Sequence, residues 1–352
     1  MKVILLTSNP GFGGAEKSLI RLATSLKKEG ISPTLVFLSK YGNNQIPDDL
    51  EAVFLTSKEE NRFGFFEKFF LVWRLNKLMQ KLGIFRVVST LPLADEINYR
   101  SKSKRKIYRL ANVFAEQISS IKKIKKRTRR LSRYKRIYNS GQNIALTKSI
   151  RKELEQFLGC NPSLITVIHN YVDLQNIELL KKEQIKLEVP FCIHVARFVR
   201  QKRHDLLIKV WKAFPDLPNL VLLCNRNEQL IQLIESNGVN DRVFIAGHQK
   251  NPYKYIAKSE ALILCSDYEG FPTVILESMA CDTKVIITDG ASGSLEIMND
   301  QRSNIAKHND IESLGETIIE TLNQATPTYQ KELNYFSEKN AVEAWIRVIR
   351  DN

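Results

Sequence analysis

Residues 269–277, Glu-Gly-Phe-Pro-Thr-Val-Ile-Leu-Glu, join two carboxylates through a glycine, a proline and an apolar run. The apolar segment Ala261–Cys265 before them reads as a strand. The result is a strand-loop-helix junction. Pro272 suits the first helical position, where its missing N–H costs nothing. The free amides near Thr273 and Val274 then form an anion site, strengthened by the helix dipole. Glu277 falls four residues after Thr273, on the same helix face, within reach of a diol beyond the phosphates. Glu269 sits in the loop and can grip a group on the other side. Such a junction fits a nucleotide-bearing ligand. Two carboxylates at this spacing, taken alone, read rather as a surface Glu and a helix Glu that share no ligand.

Two further segments bear on that choice. Arg197 directly follows the apolar strand Phe191–Ala196, and Lys202 lies in the loop after it. Two cations at a strand's carboxyl end suit a diphosphate, which Arg binds with paired donors; alone they read as a solvated basic loop. Near the start, Asn9-Pro10-Gly11-Phe12-Gly13-Gly14-Ala15-Glu16 links a first strand to a first helix. Glycines let the backbone approach a ligand and present amides. The loop matches neither a full dinucleotide fingerprint nor a Walker loop, and a tight turn without ligand fits it as well.

Strand-like and helix-like segments alternate along the 352 residues, which argues for parallel sheets in two α/β domains. The expected boundaries are 1–172 for the first domain, 173–189 for a polar linker and 190–328 for the second domain. A final helix over Tyr329–Arg350, within 329–352, would cross back to the first domain. Two doubly wound domains would put a ligand in the cleft facing their strand ends. No apolar run is long enough to span a bilayer, and the apolar start reads as a strand rather than a signal peptide. The five cysteines show no paired spacing and read as reduced, buried and cytosolic.

Net charge is +15. Residues 100–136 hold 16 Lys/Arg against the single acid Glu116, so the remainder of the chain is neutral. Ile107, Leu110, Phe114, Ile118, Ile121 and Ile124 recur at three- and four-residue steps, which reads as one basic amphipathic helix. Lys122, Lys123, Lys125, Lys126, Arg127, Arg129 and Arg130 crowd its end and suit an anionic membrane surface, at about 1 kcal/mol each. A helix packed on its own domain with a solvated charged face is the alternative. No recognition module accompanies the charge, so nucleic acid is not an expected partner. Phe65, Phe66, Phe69, Phe70 and Trp73 form another helix face, read as packing onto the sheet rather than as a membrane anchor.

In this order and spacing the motifs resemble the retaining GT-B glycosyltransferases of family 4. The resemblance rests on Gly13–Glu16, on Val195-Ala196-Arg197 with Lys202, and on Glu269 with Glu277. It continues through Glu277–Cys281, Val285–Asp289 and Ser294–Ile297 and spans nearly the whole chain. Gly247–Tyr253 is similar to members that build bacterial surface polysaccharides. The resemblance implies a GT-B fold with a central cleft and a UDP-sugar donor. Arg197 and Lys202 would neutralise the donor diphosphate. Glu277 would bind the ribose. Glu269, with the Gly270 and Phe271 backbone, would hold the sugar hydroxyls. Gly13 and Gly14 would close over the phosphates. No cofactor or essential metal is expected. The acceptor would be a polyprenyl-diphosphate glycan for capsule or O-antigen, extended by a peripheral enzyme on the cytoplasmic membrane face.

Departures from the family pattern leave a rival. Family members often carry a histidine in the first domain's acceptor pocket, but none of the five histidines lies in the first 168 residues. Asp95 or Glu96, in the corresponding loop 89–96, would substitute. Alternatively, front-face attack lets the leaving phosphate oxygen take the acceptor proton, and no protein base is required. Asp282 stands where a glycine is usual, a residue that also tolerates left-handed geometry. Cys224-Asn225-Arg226 replaces a glycine-rich loop. The rival is a catalytically silent relative that binds nucleotide or scaffolds an assembly.

Overall fold

A computed structural model describes residues 1–351 apart from Phe12, Asn43, Asn61, Asn112, Glu188 and residues 299–301. Those exceptions include one residue of the glycine loop, one of the basic stretch and one of the expected linker. The chain forms two compact units, Met1–Asn170 with Glu338–Asn352 and Tyr171–Ser337.

The first unit is built on β1 (Lys2–Thr7), β2 (Ser32–Phe37), β3 (Glu51–Phe54), β4 (Arg86–Thr90), β5 (Arg105–Leu110), β6 (Gln142–Ala145) and β7 (Ile165–Val167). Its helices are α1 (Gly14–Lys28), α2 (Phe65–Leu82), α3 (Pro92–Arg100), α4 (Phe114–Ser119), α5 (Ile124–Tyr138) and α6 (Lys148–Lys152). The second unit carries α7 (Leu174–Leu180), β8 (Phe191–Val195), α8 (His204–Ala213), β9 (Asn219–Leu223), α9 (Glu228–Asn237), β10 (Val243–Ile245), α10 (Tyr253–Ile256) and β11 (Ala261–Leu264). Next come α11 (Thr273–Ala280), β12 (Lys284–Thr288), α12 (Ser292–Ile297), β13 (Ile305–Ala306), α13 (Ile311–Leu322) and α14 (Gln330–Tyr335). The last helix, α15 (Glu338–Arg350), belongs to the first unit.

Strand order is β3-β2-β1-β4-β5-β6-β7 in one sheet and β10-β9-β8-β11-β12-β13 in the other. Both are parallel throughout their described pairings, so both faces need cover, and the strands are near-continuous apolar runs. Val3 to Leu6 and Leu262 to Ile263 are wholly buried. Each sheet winds outward in two directions from one point: between β1 and β4, and between β8 and β11. Ligands of such sheets sit outside the strands' carboxyl ends at that switch point.

Several sequence expectations change. The basic stretch is not one helix: Ile107 and Leu110 lie in β5, Phe114 and Ile118 in α4, and Ile124 begins α5. A three- and four-residue step simply continues across a strand and a turn, because β5 is buried on both faces and needs no alternation. The expected linker is structured. Its α7 belongs to the second unit, where Lys181 Nζ pairs with Asp282 at 3.0 Å and donates to Ala280 O. Tyr329–Arg350 is two helices, and the unit boundary falls between them. α15 packs on α1 through Glu338, which accepts from Ser25 Oγ at 2.6 Å. Finally, the aromatic face of α2 does not cover the sheet. Leu71, Leu75 and Met79 do that, while Phe66 is 84% exposed. Asp282 does take the left-handed backbone, φ 58. All five cysteines are buried and free.

Candidate nucleotide-sugar site

The second unit brings the predicted donor residues to its switch point. β8 ends at Val195, and Arg197 follows it, exposed and without an ion pair among the described residues. The chain turns through a short 3-10 helix, Arg200–Lys202, and Arg203 adopts a left-handed φ of 53 before α8. β11, the neighbour of β8, ends at Leu264, and its loop reaches Glu269. Here the two loops interlock. Asp267 N donates to Gln201 O at 2.9 Å, and Gln201 Nε2 donates to Tyr268 O at 2.5 Å. Lys202 and Glu269, 67 residues apart, form an ion pair with 19% and 10% of their side chains exposed.

Pro272 is the cap of α11 rather than its first residue, with extended backbone at φ −78, ψ 94. Thr273 therefore holds the first helical position. The first-turn amides still lack intrahelical acceptors, save Ile275 N, which bonds to Pro272 O at 3.1 Å. Glu277 is 8% exposed in the second turn. Phe271 is buried and stacks edge-on to Phe336 at 5.5 Å, which anchors the loop behind the carboxylates.

Sequence reasoning missed the supports. Arg203 pairs with Asp205 at 3.0 Å and Asp267 at 2.8 Å, and also donates to Asn309. The hydrogen bond to Asp205 holds its guanidinium well above the usual value, against some burial. His308 Nε2 lies 3.3 Å from Asp267, so Asp267 ties three post-strand loops together. Gly293, in α12, sits against the loop backbone. A Cβ there would lie 2.6 Å from Glu269 O and meet Gly270 O as well, so only glycine fits. Two imidazoles lie behind the cations. Burial pushes His204 down to about 4, with the Lys202 charge adding to it, and burial also lowers His194. Both are neutral near pH 7 and add no positive charge behind Lys202. Only the single residue types signalled these positions, and their partners lie far off in sequence.

In the first unit Gly13 caps α1 without a side chain, and the Glu16 carboxylate folds over the loop, 2.5 Å from where a Cβ on Gly11 would stand and 3.2 Å from one on Gly13. The loop is pinned by a backbone bridge between Gly11 (φ +70) and Gly42 (φ +124). The proposed acceptor carboxylates fare differently. Asp95 is 1% exposed and accepts from Ser89 Oγ at 2.7 Å and Tyr138 OH at 3.0 Å. Glu96 is held by Lys68 at 2.9 Å, Arg100 at 2.9 Å and Arg133 at 3.5 Å. Burial raises its carboxyl, but the Lys68 hydrogen bond and the three charges outweigh that and lower it. Neither is a free base, because the packing of α3 against α5 and α2 consumes both. The loop before them does carry strain: Leu91 sits at φ 79, costly for a residue with a Cβ.

Two family models tile the chain: Glycosyltransferase Family 4 over residues 12–176 and Glycosyl transferases group 1 over residues 175–341. The chain belongs to the family 4, group 1 glycosyltransferases. Its fold is accordingly GT-B. Over 156 residues it is 33% identical to N-acetylgalactosamine-N,N'-diacetylbacillosaminyl-diphospho-undecaprenol 4-alpha-N-acetylgalactosaminyltransferase of Campylobacter jejuni, covering 44% of this chain and 43% of that one. The match thus spans less than half of that relative's length. The lipopolysaccharide core biosynthesis glycosyltransferase LpsE of Rhizobium meliloti is 24% identical over 280 residues, 78% of this chain and 76% of that one. Anabaena Alr3699/HepE, solved in complex with UDP and glucose, superposes with a TM-score of 0.78 over 99% of this chain and 98% of that one, at 18% identity. At that identity the likeness is one of fold.

Proposed function

We propose that this chain is a retaining hexosyltransferase. It moves a hexose or N-acetylhexosamine from a UDP-sugar to a polyprenyl-diphosphate-linked glycan in bacterial surface polysaccharide synthesis. It works as a peripheral enzyme on the cytoplasmic face of the membrane. The observation that carries this reading is the meeting of Arg197, Lys202 and Glu269 with the start of α11 at one switch point. The acceptor class is supported by the Campylobacter relative, whose name specifies a diphospho-undecaprenol acceptor. UDP use is supported by the fold-mate solved with UDP and glucose.

Arg197, Lys202 and the α11 amides hold the diphosphate, and Glu277 binds the ribose. Glu269 and the Gly270–Phe271 backbone hold the sugar hydroxyls. As the bond from the anomeric carbon to the diphosphate oxygen breaks, negative charge grows on the leaving group, where fixed cations stabilise it. The acceptor hydroxyl oxygen bonds to the anomeric carbon from the same face. Its proton passes to the leaving phosphate oxygen, so no protein base is needed. That route suits a chain whose Asp95 and Glu96 are both committed to packing.

The same commitment favours a second reading, a silent relative that binds nucleotide without turnover. A panel of nucleotide sugars screened by thermal shift, then a transfer assay with polyprenyl-diphosphate glycan, separates the two. Donor consumption with product formation is expected. Nucleotide binding with no transfer from any donor leaves the silent reading. Wild-type UDP binding by both Arg197→Ala and Lys202→Ala overturns the site.

A further inference from the structure

Helix α2 has two apolar faces. Leu71, Leu75 and Met79 recur every fourth residue and are wholly buried. Phe65, Phe66, Phe69, Phe70 and Trp73 project from the other side, exposed from 46% to 84%. At about 100° per residue the two stripes point in nearly opposite directions. The aromatic rings touch one another: Phe65 meets Phe69 at 4.9 Å and Phe70 stacks on Trp73 at 5.6 Å. Cations rim them, with Arg74 4.4 Å from the Phe70 centroid and Lys77 4.2 Å from that of Trp73. A contiguous exposed aromatic patch of this kind marks an interaction surface.

The basic helix α5 adjoins it. One Glu96 oxygen accepts from both Lys68 of α2 and Arg133 of α5, and Arg100 of α3 lies over the Phe69 ring at 5.8 Å. Residues 124–129 of α5 are exposed on every side, Ile124 by 70%. Lys125, Lys126, Arg127 and Arg129 have no carboxylate partner among the described residues. The first turn of α5 contains no acid, so its cations sit at the positive end of the helix dipole. An external anionic layer relieves that repulsion.

We propose that α2 and α5 form one bilayer-docking surface. The α2 aromatics enter the headgroup boundary, as Trp and Phe do at membrane interfaces, and the α5 cations bind anionic lipid. This rests on the lipid-linked acceptor reading for its purpose, not for its evidence. It moves the apolar part of the contact off the basic stretch and onto α2, which starts 59 residues before α5 (124 − 65).

The structure supplies a reporter. Of the three tryptophans, Trp211 and Trp345 are buried at 0% and 2% exposure, and Trp73 is 49% exposed. Phosphatidylglycerol vesicles without glycan acceptor are expected to shift the fluorescence to the blue, and Trp73→Phe to abolish the shift. Phe66→Ser with Phe70→Ser should lower vesicle partitioning about tenfold or more, with melting temperature unchanged because neither ring is in the core. Lys125→Glu with Lys126→Glu should lower it only on anionic vesicles. Parent-like partitioning by the aromatic variant overturns the proposal. So does a dimer in vesicle-free sedimentation that the aromatic variant dissolves while vesicle binding persists. Transfer to a detergent-solubilised acceptor, measured in parallel, tests the acceptor reading separately.

Discussion

Replacing Glu269 with alanine removes one partner of the Lys202–Glu269 ion pair. Breaking a fully buried pair costs roughly 3–5 kcal/mol. Here 19% of the Lys202 side chain is exposed, and water compensates part of the loss. A cost of roughly 2 kcal/mol follows. In a unit the size of Tyr171–Ser337 that lowers the melting temperature by about 4–8 °C. UDP affinity moves the other way. Glu269 neutralises Lys202 in the empty site, so its removal should leave UDP binding unchanged or tighter. Lys202→Ala, by contrast, deletes a charge-assisted contact and should weaken UDP roughly 10- to 100-fold. Turnover should be lost in both. Thermal melts, UDP calorimetry and the Lys202→Ala/Glu269→Ala double variant measure all three, with a coupling of about 1–2 kcal/mol in the stability cycle. If Glu269→Ala weakens UDP as much as Lys202→Ala, the two side chains do not divide the ligand between phosphate and sugar.

Gly293→Ala should cut transfer by more than tenfold while UDP still binds, because the new Cβ displaces the Glu269–Gly270 backbone that holds the sugar. Unchanged transfer would show that loop position is not limiting. Burial raises the Asp95 carboxyl to about 7 from 3.8, opposed by hydrogen bonds from Ser89 and Tyr138. The folded state therefore holds this proton more tightly than the unfolded chain. Its contribution is full below about pH 4 and is lost as pH rises through about 7. Asp95→Asn should accordingly gain stability over the parent on going from about pH 5 to about pH 8, by on the order of 3 kcal/mol. Parallel denaturation curves across that range would refute it.

The sequence by itself determined the two parallel sheets, the helix after Pro272 and the places of Arg197, Lys202 and Glu269 just after their strands. Each is a local pattern: an apolar run buried on both faces, a cap, or a cation placed just after a strand. Family 4 motifs were legible for the same reason, since Arg197, Lys202, Glu269 and Glu277 stand at fixed offsets from those runs. The basic stretch was misread because helical spacing and a doubly buried strand look alike over six residues. Only the tertiary structure decided which apolar face is core. Leu71, Leu75 and Met79 meet the sheet, so Phe66 and Trp73 are left to solvent, although all five carry the same helical period. It also decided partners. Lys202 finds Glu269 across 67 residues, and Asp95 and Glu96 are spent on Ser89, Tyr138, Lys68, Arg100 and Arg133. Pairing and exposure depend on which strands and helices become neighbours, and no window along the chain contains that.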